Sequence, residues 1–187
     1  VHAVVEMRNK NKDEVLANLS NDSLHHITMA RQDNTYLVYV RAKGYIYKDT
    51  LIHIPNVVAE LTYTIPLTAL RKEMVLQLRN IQFDHNSSVL TPSSYAELDK
   101  LVKLMQDNPS MQIELSAHTD DVGSEQYNMR LSQQRGESAR KYLIRKGVAA
   151  KRIIAKGYGK SKPLVPNDSD ENRAINRRVE FTINEIE

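Results

Sequence analysis

The strongest constraint on the fold is a change of hydrophobic period between Met111 and Lys146. Met111, Ile113, Leu115 and Ala117 alternate with polar residues, the pattern of a half-buried strand. Asp120 stands where that strand runs out. Gly123 reads as a chain reversal, and Ser124, with Glu125 behind it, reads as a helix N-cap. A helix then runs to about Lys146, and Gly147 ends it. Asn128 and Arg135 are seven residues apart on this helix, and seven steps of about 100° return to nearly the same face. A carboxylate at a strand end therefore stands beside a helix presenting an amide and a guanidinium in one line. The arrangement suits a small zwitterion, with its ammonium on Asp120 and its carboxylate on Arg135, because a guanidinium fork binds a carboxylate bidentately.

The rest of the second half alternates strand and helix. Val75 to Phe83 reads as extended. Thr91-Pro92 marks a helix start, with Pro at the first helical position. Tyr95, Leu98, Leu101, Val102 and Met105 follow at helical spacing, and Asn108-Pro109 ends that helix. Arg152 to Lys156 is a further strand, Asp168 to Arg173 a short capped helix, and Arg178 to Ile183 a last alternating strand. One sheet with helices packed on one face accounts for this order.

Residues 1–72 read instead as all-β. Val4-Val5, Glu14 to Leu19, Leu24 to Met29, Tyr36 to Ala42, Leu51 to Ile54 and Leu61 to Ile65 are expected strands, with turns at Ser20 to Ser23 and Asp33-Asn34. Tyr36 to Ala42 is the strongest, rich in β-branched and aromatic residues, and Lys43-Gly44-Tyr45 breaks it. Short strands at this spacing predict a small β-sandwich. Pro66 and Thr68 to Lys72 are read as a short link to the second domain, residues 73–187. The fold class is therefore α+β, a small β-sandwich followed by an α/β sandwich.

The second half also carries a family resemblance. Thr119-Asp120, Gly123, Asn128, Leu131-Ser132 and Arg135 resemble the signature of OmpA-like peptidoglycan-binding domains, without a gap in the spacing. Asn80 to Ser87 upstream is similar to that family's first strand and loop. Gly157-Tyr158-Gly159, Pro163, Asn167 and Asn176 to Phe181 continue the similarity, over about residues 73 to 187. The resemblance implies non-covalent binding of the diaminopimelate stem of peptidoglycan, with Asp120 on the ammonium and Arg135 on the carboxylate. It implies a supporting shell of Phe83, Asp84, Asn86, Thr119, Asn128, Leu131 and Arg178, and a place in the periplasm, tied to the outer membrane. Gly136 stands where that family usually has Ala. The run from Tyr36 to Tyr45 resembles carboxypeptidase-regulatory-like (transthyretin-like) domains. The two together resemble an arrangement of Bacteroidetes envelope proteins, including a type IX secretion component. That arrangement implies envelope proteins as partners of the first domain.

The same residues have plainer readings. Asp120 alone reads as a turn or cap residue. Arg135, with apolar Leu131 and Ala139 at i−4 and i+4, faces the packed side and needs a partner. An Asp120–Arg135 salt bridge inside a protein–protein interaction module is the alternative reading of the whole. Either of Arg177 and Arg178 faces inward if both lie in a strand, and Arg178 is the one assigned here.

Other chemistries are disfavoured. Ser116, His118 and Asp120 share one face of a strand, but such neighbours are about 7 Å apart, too far for a proton relay. His118 reads as orienting the Asp120 loop. His25 and His26 point to opposite sides of a strand, no zinc spacing occurs, and there is no cysteine, so no metal, cofactor or enzymatic role is assigned. No apolar run is long enough to span a membrane. Val1 opens into a strand-like segment without a basic leader, so the chain is read as part of something longer. Arg140 to Asn167 holds nine basic residues and no acid. A solvated face is the ordinary reading and a surface for anionic glycan, phosphate or nucleic acid the sharper one; thin aromatic interleaving argues against a stacking platform for single strands, and no nucleic-acid partner is assigned.

Overall fold

The computed structural model describes residues 3–9, 15–21, 33–55, 63–84 and 86–186. The chain divides into two compact units, Val1–Leu70 and Arg71–Glu187.

In the first unit, β1 (Ala3–Asn9), β2 (Val15–Asn21), β3 (Asn34–Ala42) and β4 (Lys48–Ile54) form one antiparallel sheet in the order β2-β1-β3-β4. The register sets Val5 opposite Val40, Met7 opposite Val38 and Tyr36 opposite Ile52. The period-2 pattern thus gathers Met7, Tyr36, Val38, Val40 and Ile52 on one face as a core, against which Ile65 and Leu67 pack. Among the described residues this unit has that single sheet, not the two layers of a sandwich. The expected strand at Leu24 to Met29, like His25 and His26, lies outside the described residues. Of Leu61 to Ile65, residues 63–65 are described, and they are irregular.

The presumed link also differs. Ala69 bridges Tyr45, the Ile46 amide donates to the Thr68 carbonyl (2.8 Å), and the Leu70 amide donates to the Gly44 carbonyl (2.8 Å). Thr68 to Leu70 therefore belong to the first unit, held by the turn that Gly44 makes at φ +80°.

The second unit contains β5 (Val75–Leu78), α1 (Ser94–Asp107), β6 (Gln112–His118), α2 (Glu125–Arg145), β7 (Ile153–Gly159), α3 (Asp170–Asn176) and β8 (Val179–Glu185). Its mixed sheet runs β5-β8-β6-β7, parallel only between β6 and β7. Helix α2 packs along β7 and β6, and α1 packs on α2. Ile113, Leu115, Phe181, Ile183, Leu98, Leu101, Met105 and Leu143 are fully buried between them.

Helix α2 also caps the sheet. Strand β7 is an edge, which ordinarily leaves unpaired backbone groups. Here Gln133 accepts from the Gly157 amide (2.8 Å) and donates to the Ala155 carbonyl (3.1 Å), while Ser132 Oγ accepts from the Gly159 amide (2.8 Å). The approach is so close that a Cβ on Gly157 would collide with the backbone nitrogen of Gln133.

Two elements differ from the sequence reading. Strand β5 stops at Leu78 because Asn80 turns into the left-handed region (φ 61°), and Phe83 then forms a bridge with Leu90. Helix α1 begins at Ser94, not at Pro92. The turn before it is closed by i to i+3 bonds from Ser94 to Thr91 (3.0 Å) and from Tyr95 to Pro92 (3.2 Å). Among the described residues no helix is long and apolar enough to cross a membrane.

Candidate functional site

A cleft of about 770 Å³ opens in the second unit where β6 ends, between α2, the end of α3 and the 77–86 segment. Phe83, Asp84, Asn86, Thr119, Asp120, Asn128, Leu131, Arg135 and Arg178, drawn from four separated stretches, all line it.

Asp120 is placed by a tight turn. Strand β6 is fixed up to Thr119 by backbone bonds from His118 to Arg178 (2.9 Å) and from Thr119 to Gly159 (2.9 Å). Beyond it the Val122 amide donates to Asp120 Oδ1 (3.1 Å), Thr119 Oγ1 donates to the Asp120 carbonyl (2.9 Å), and Gly123 reverses the chain at φ +95°. Ser124 then caps α2, accepting from the Tyr127 amide (3.2 Å). Asn128 is buried, and its Nδ2 donates to the Val122 carbonyl (3.0 Å) and, at 3.5 Å, to that of Asp120. Its amide nitrogen is thus committed to holding the turn.

Arg135 lies half-buried on the opposite wall. Its Nε donates to the Ser87 carbonyl (3.0 Å), and its guanidinium sits 4.9 Å over the Phe83 ring. These contacts fix the 83–90 hairpin, whose tip turns at Asn86 (φ 51°) and closes with a Ser87 to Asp84 backbone bond (3.1 Å). Burial pushes the Arg135 pKa down, Tyr127 and Asp120 push it up, and Arg177 pushes it down again.

Asp120 and Arg135 are not an ion pair. The partner of Asp120 is Arg177, whose Nη1 lies 2.7 Å from Oδ2. The alternation argument leaves open which of Arg177 and Arg178 faces inward, and it supposes that both lie in a strand. In fact Arg177 caps α3, and β8 begins only at Val179. Arg178 is buried, donating through Nε to Glu180 (2.9 Å) and through both terminal nitrogens to the Lys162 carbonyl (3.3 Å each). It secures the loop that Asn176 also secures, through bonds to Leu164, Val165 and Asn167. Arg177 and Tyr127 are among the cleft residues that the sequence reading left out. The pairing of Asn176 with a double arginine was the available signal for Arg177.

His118 forms the floor, with its ring stacked on Tyr158 (5.3 Å, 10°). Its Nε2 is 3.2 Å from Glu180 Oε1 but out of line for a hydrogen bond, so neither ring nitrogen has a hydrogen-bond partner among the described residues. Burial first, and then Arg178, depress its pKa to about 4, with Glu180 opposing, so the ring is neutral. Ser116 Oγ donates to Glu114, not to His118 (3.1 Å). No group of three or more His, Asp or Glu among the described residues is placed to hold a metal ion.

The basic stretch is largely consumed by the fold. Arg152 donates to the carbonyls of Met111 (2.9 Å), Met105 (2.7 Å) and Asn108 (2.6 Å), satisfying the end of α1. Arg140 donates to Ile153 and Ala150, and Lys146 pairs with Asp99 (2.9 Å). Lys156 and Lys162 lie over the Tyr158 ring at 5.0 and 3.9 Å.

Comparison with known proteins agrees with this layout. A model described as the OmpA family matches residues 82–177, just over half of the chain. Outer membrane porin F of Pseudomonas fluorescens is 39% identical over 104 residues, 56% of this chain and 32% of that protein. Peptidoglycan-binding protein ArfA of Mycobacterium tuberculosis is 35% identical over 104 residues, with the same two shares. The chain thus spans about a third of the length of these curated relatives. The crystal structure of the peptidoglycan-associated lipoprotein from Burkholderia pseudomallei superposes with a TM-score of 0.52 at 28% identity, over 55% of this chain and 87% of that one. The relationship is to structural and binding proteins, not to enzymes. The match spans the cleft from Gln82 through Asp120 and Arg135 to Arg177, and the chain belongs to the OmpA family.

Proposed function

We propose that the second unit binds the diaminopimelate-containing stem of peptidoglycan non-covalently and so anchors an envelope assembly to the cell wall. In this reading Asp120 takes the ligand ammonium and Arg135 its carboxylate. Thr119, Asn128 and Arg178 hold the frame, and Phe83, Asp84, Asn86 and Leu131 line the walls. The observation that carries it is that Asp120 and Arg135 face one open cleft without pairing with each other. An Asp120–Arg135 structural bridge, the premise of the alternative reading, has no counterpart here. The relatives support the substrate class, one being a peptidoglycan-binding protein and another a peptidoglycan-associated lipoprotein.

A stem carrying lysine has the ammonium but not the carboxylate. It leaves Arg135 without its anion, roughly a ten- to hundredfold loss of affinity. Weak single-site binding is multiplied by the many stems of a polymeric wall. The site is in the periplasm, in a protein associated with the outer membrane, and the first unit is a carboxypeptidase-regulatory-like module that docks other envelope proteins. The combination of modules supports a Bacteroidetes origin and a type IX secretion component.

The test is isothermal titration with a diaminopimelate muropeptide and its lysine counterpart, using the wild type, Asp120→Ala and Arg135→Ala. Saturable binding that weakens with lysine and with either substitution is expected. A folded wild type that binds neither peptide overturns the reading.

A further inference from the structure

Two of the arginines that line the cleft, Arg135 and Arg177, lie near Asp120, and they are held differently. Arg135 is fixed by Ser87 and Phe83. Arg177 has a side chain 46% exposed, and its contact in the cleft is the bond to Asp120. A ligand ammonium seeking Asp120 meets a carboxylate that is already neutralised.

We propose that Arg177 is a specificity-determining gate, which leaves Asp120 only for a ligand whose ammonium is accompanied by a carboxylate. The proposal rests on the clamp reading above and adds an ion exchange to it. An ammonium carboxylate trades one pair for two: its ammonium replaces Arg177 on Asp120, and its carboxylate receives Arg177 beside Arg135. The total charge of the site is conserved, and every charged group keeps a partner. A lone ammonium forces the same displacement and returns nothing to Arg177, at a carboxylate whose side chain is only 13% exposed.

The surroundings permit the movement. The turn does not depend on Arg177, since Asn128, the Val122 amide and Thr119 hold it. One turn earlier on α3, Arg173 pairs with Asp121 (3.0 Å) and keeps the helix docked when Arg177 swings away. The guanidiniums of Arg135 and Arg177 also repel each other, as Arg177 disfavours the charged form of Arg135, and an anion between them relieves this.

The test is titration of the wild type, Arg177→Ala and Arg177→Lys with the same two muropeptides. Arg177→Ala should bind the lysine peptide several-fold more tightly than the wild type does and hold the diaminopimelate peptide about as well, so that discrimination falls by the same several-fold. Arg177→Lys, which keeps the cation, should keep most of the discrimination. An Arg177→Ala variant that weakens both peptides by one common factor, or leaves both unchanged, overturns the gate and leaves the clamp intact. A wild type that binds neither peptide removes the clamp and the gate with it.

Discussion

Between Arg140 and Lys162 nine cations stand without an acid, yet much of their charge is spent on carbonyls, carboxylates and two tyrosine rings of the same unit. Around the cleft Arg178 is spent on Glu180 and the Lys162 carbonyl, whereas Arg135 and Arg177, near Asp120, do not have their full set of donors on described partners. The charge-dense region is thus structural, and the sparse one is where a ligand meets uncommitted charge. The difference teaches that charge density along a sequence is a poor guide to a binding surface. What matters is how many donors the fold has left unused.

The comparison can be broken most forcefully at Arg152. Arg152→Ala removes a donor from three carbonyls and should destabilise the protein by roughly 3 kcal/mol, read as a lower urea midpoint. Muropeptide affinity of the folded protein should not change, and a matching loss of affinity would erase the contrast between the regions.

His118 offers the next largest effect, because it touches both regions through Tyr158 and the Asp120 strand. Its folded pKa of about 4 lies below the ordinary 6.5, so the unfolded chain binds the proton more readily. The stability from burying the neutral ring is complete above pH 6.5 and is lost as pH falls toward 4. The loss is roughly 2 kcal/mol by pH 5. His118→Phe keeps the stack on Tyr158 and should abolish this slope in denaturation measured from pH 7 to 5.

Arg135→Ala should show the reverse of Arg152→Ala. Muropeptide affinity should fall at least tenfold, about 1.4 kcal/mol, with a smaller fall in the urea midpoint than Arg152→Ala gives, since one carbonyl rather than three loses a donor. The smallest effect is expected at Gly136, between Arg135 and Arg140. A Cβ there meets Ala155, Lys156 and Ala117 only at 3.6–3.8 Å, ordinary contact. Gly136→Ala should therefore raise thermal stability by about 0.5–1 kcal/mol by removing helix-disfavouring backbone freedom, and leave binding as it was.

Much of the second unit was legible. The β6 alternation, the Ser124 cap and the Gly147 stop rest on local geometry, and local geometry is written in short spans of sequence. The early end of β5 was not legible, because Val75 to Phe83 reads as extended throughout. It takes the left-handed turn at Asn80 to end the strand and let Phe83 pair with Leu90. The place of Thr68 to Leu70 was missed for the same reason, since their partners lie 22 or more residues earlier, at Gly44 to Ile46. At the cleft the lining residues were nameable in advance, but their partners were not. Asp120 could be matched with Arg135 by type and face, whereas the pairing with Arg177 spans 57 residues and depends on α3 ending one residue before it.

The sequence by itself determined where strand, turn and helix follow one another around Asp120, because caps, glycines and hydrophobic period act over a few residues. The tertiary structure alone decided which charges are spent and which remain. Whether Arg152 serves carbonyls, or Arg177 rather than Arg135 closes on Asp120, follows from distances across the packed sheet and helices. Coulombic and hydrogen-bond energies fall off steeply with those distances, and no spacing along the chain encodes them.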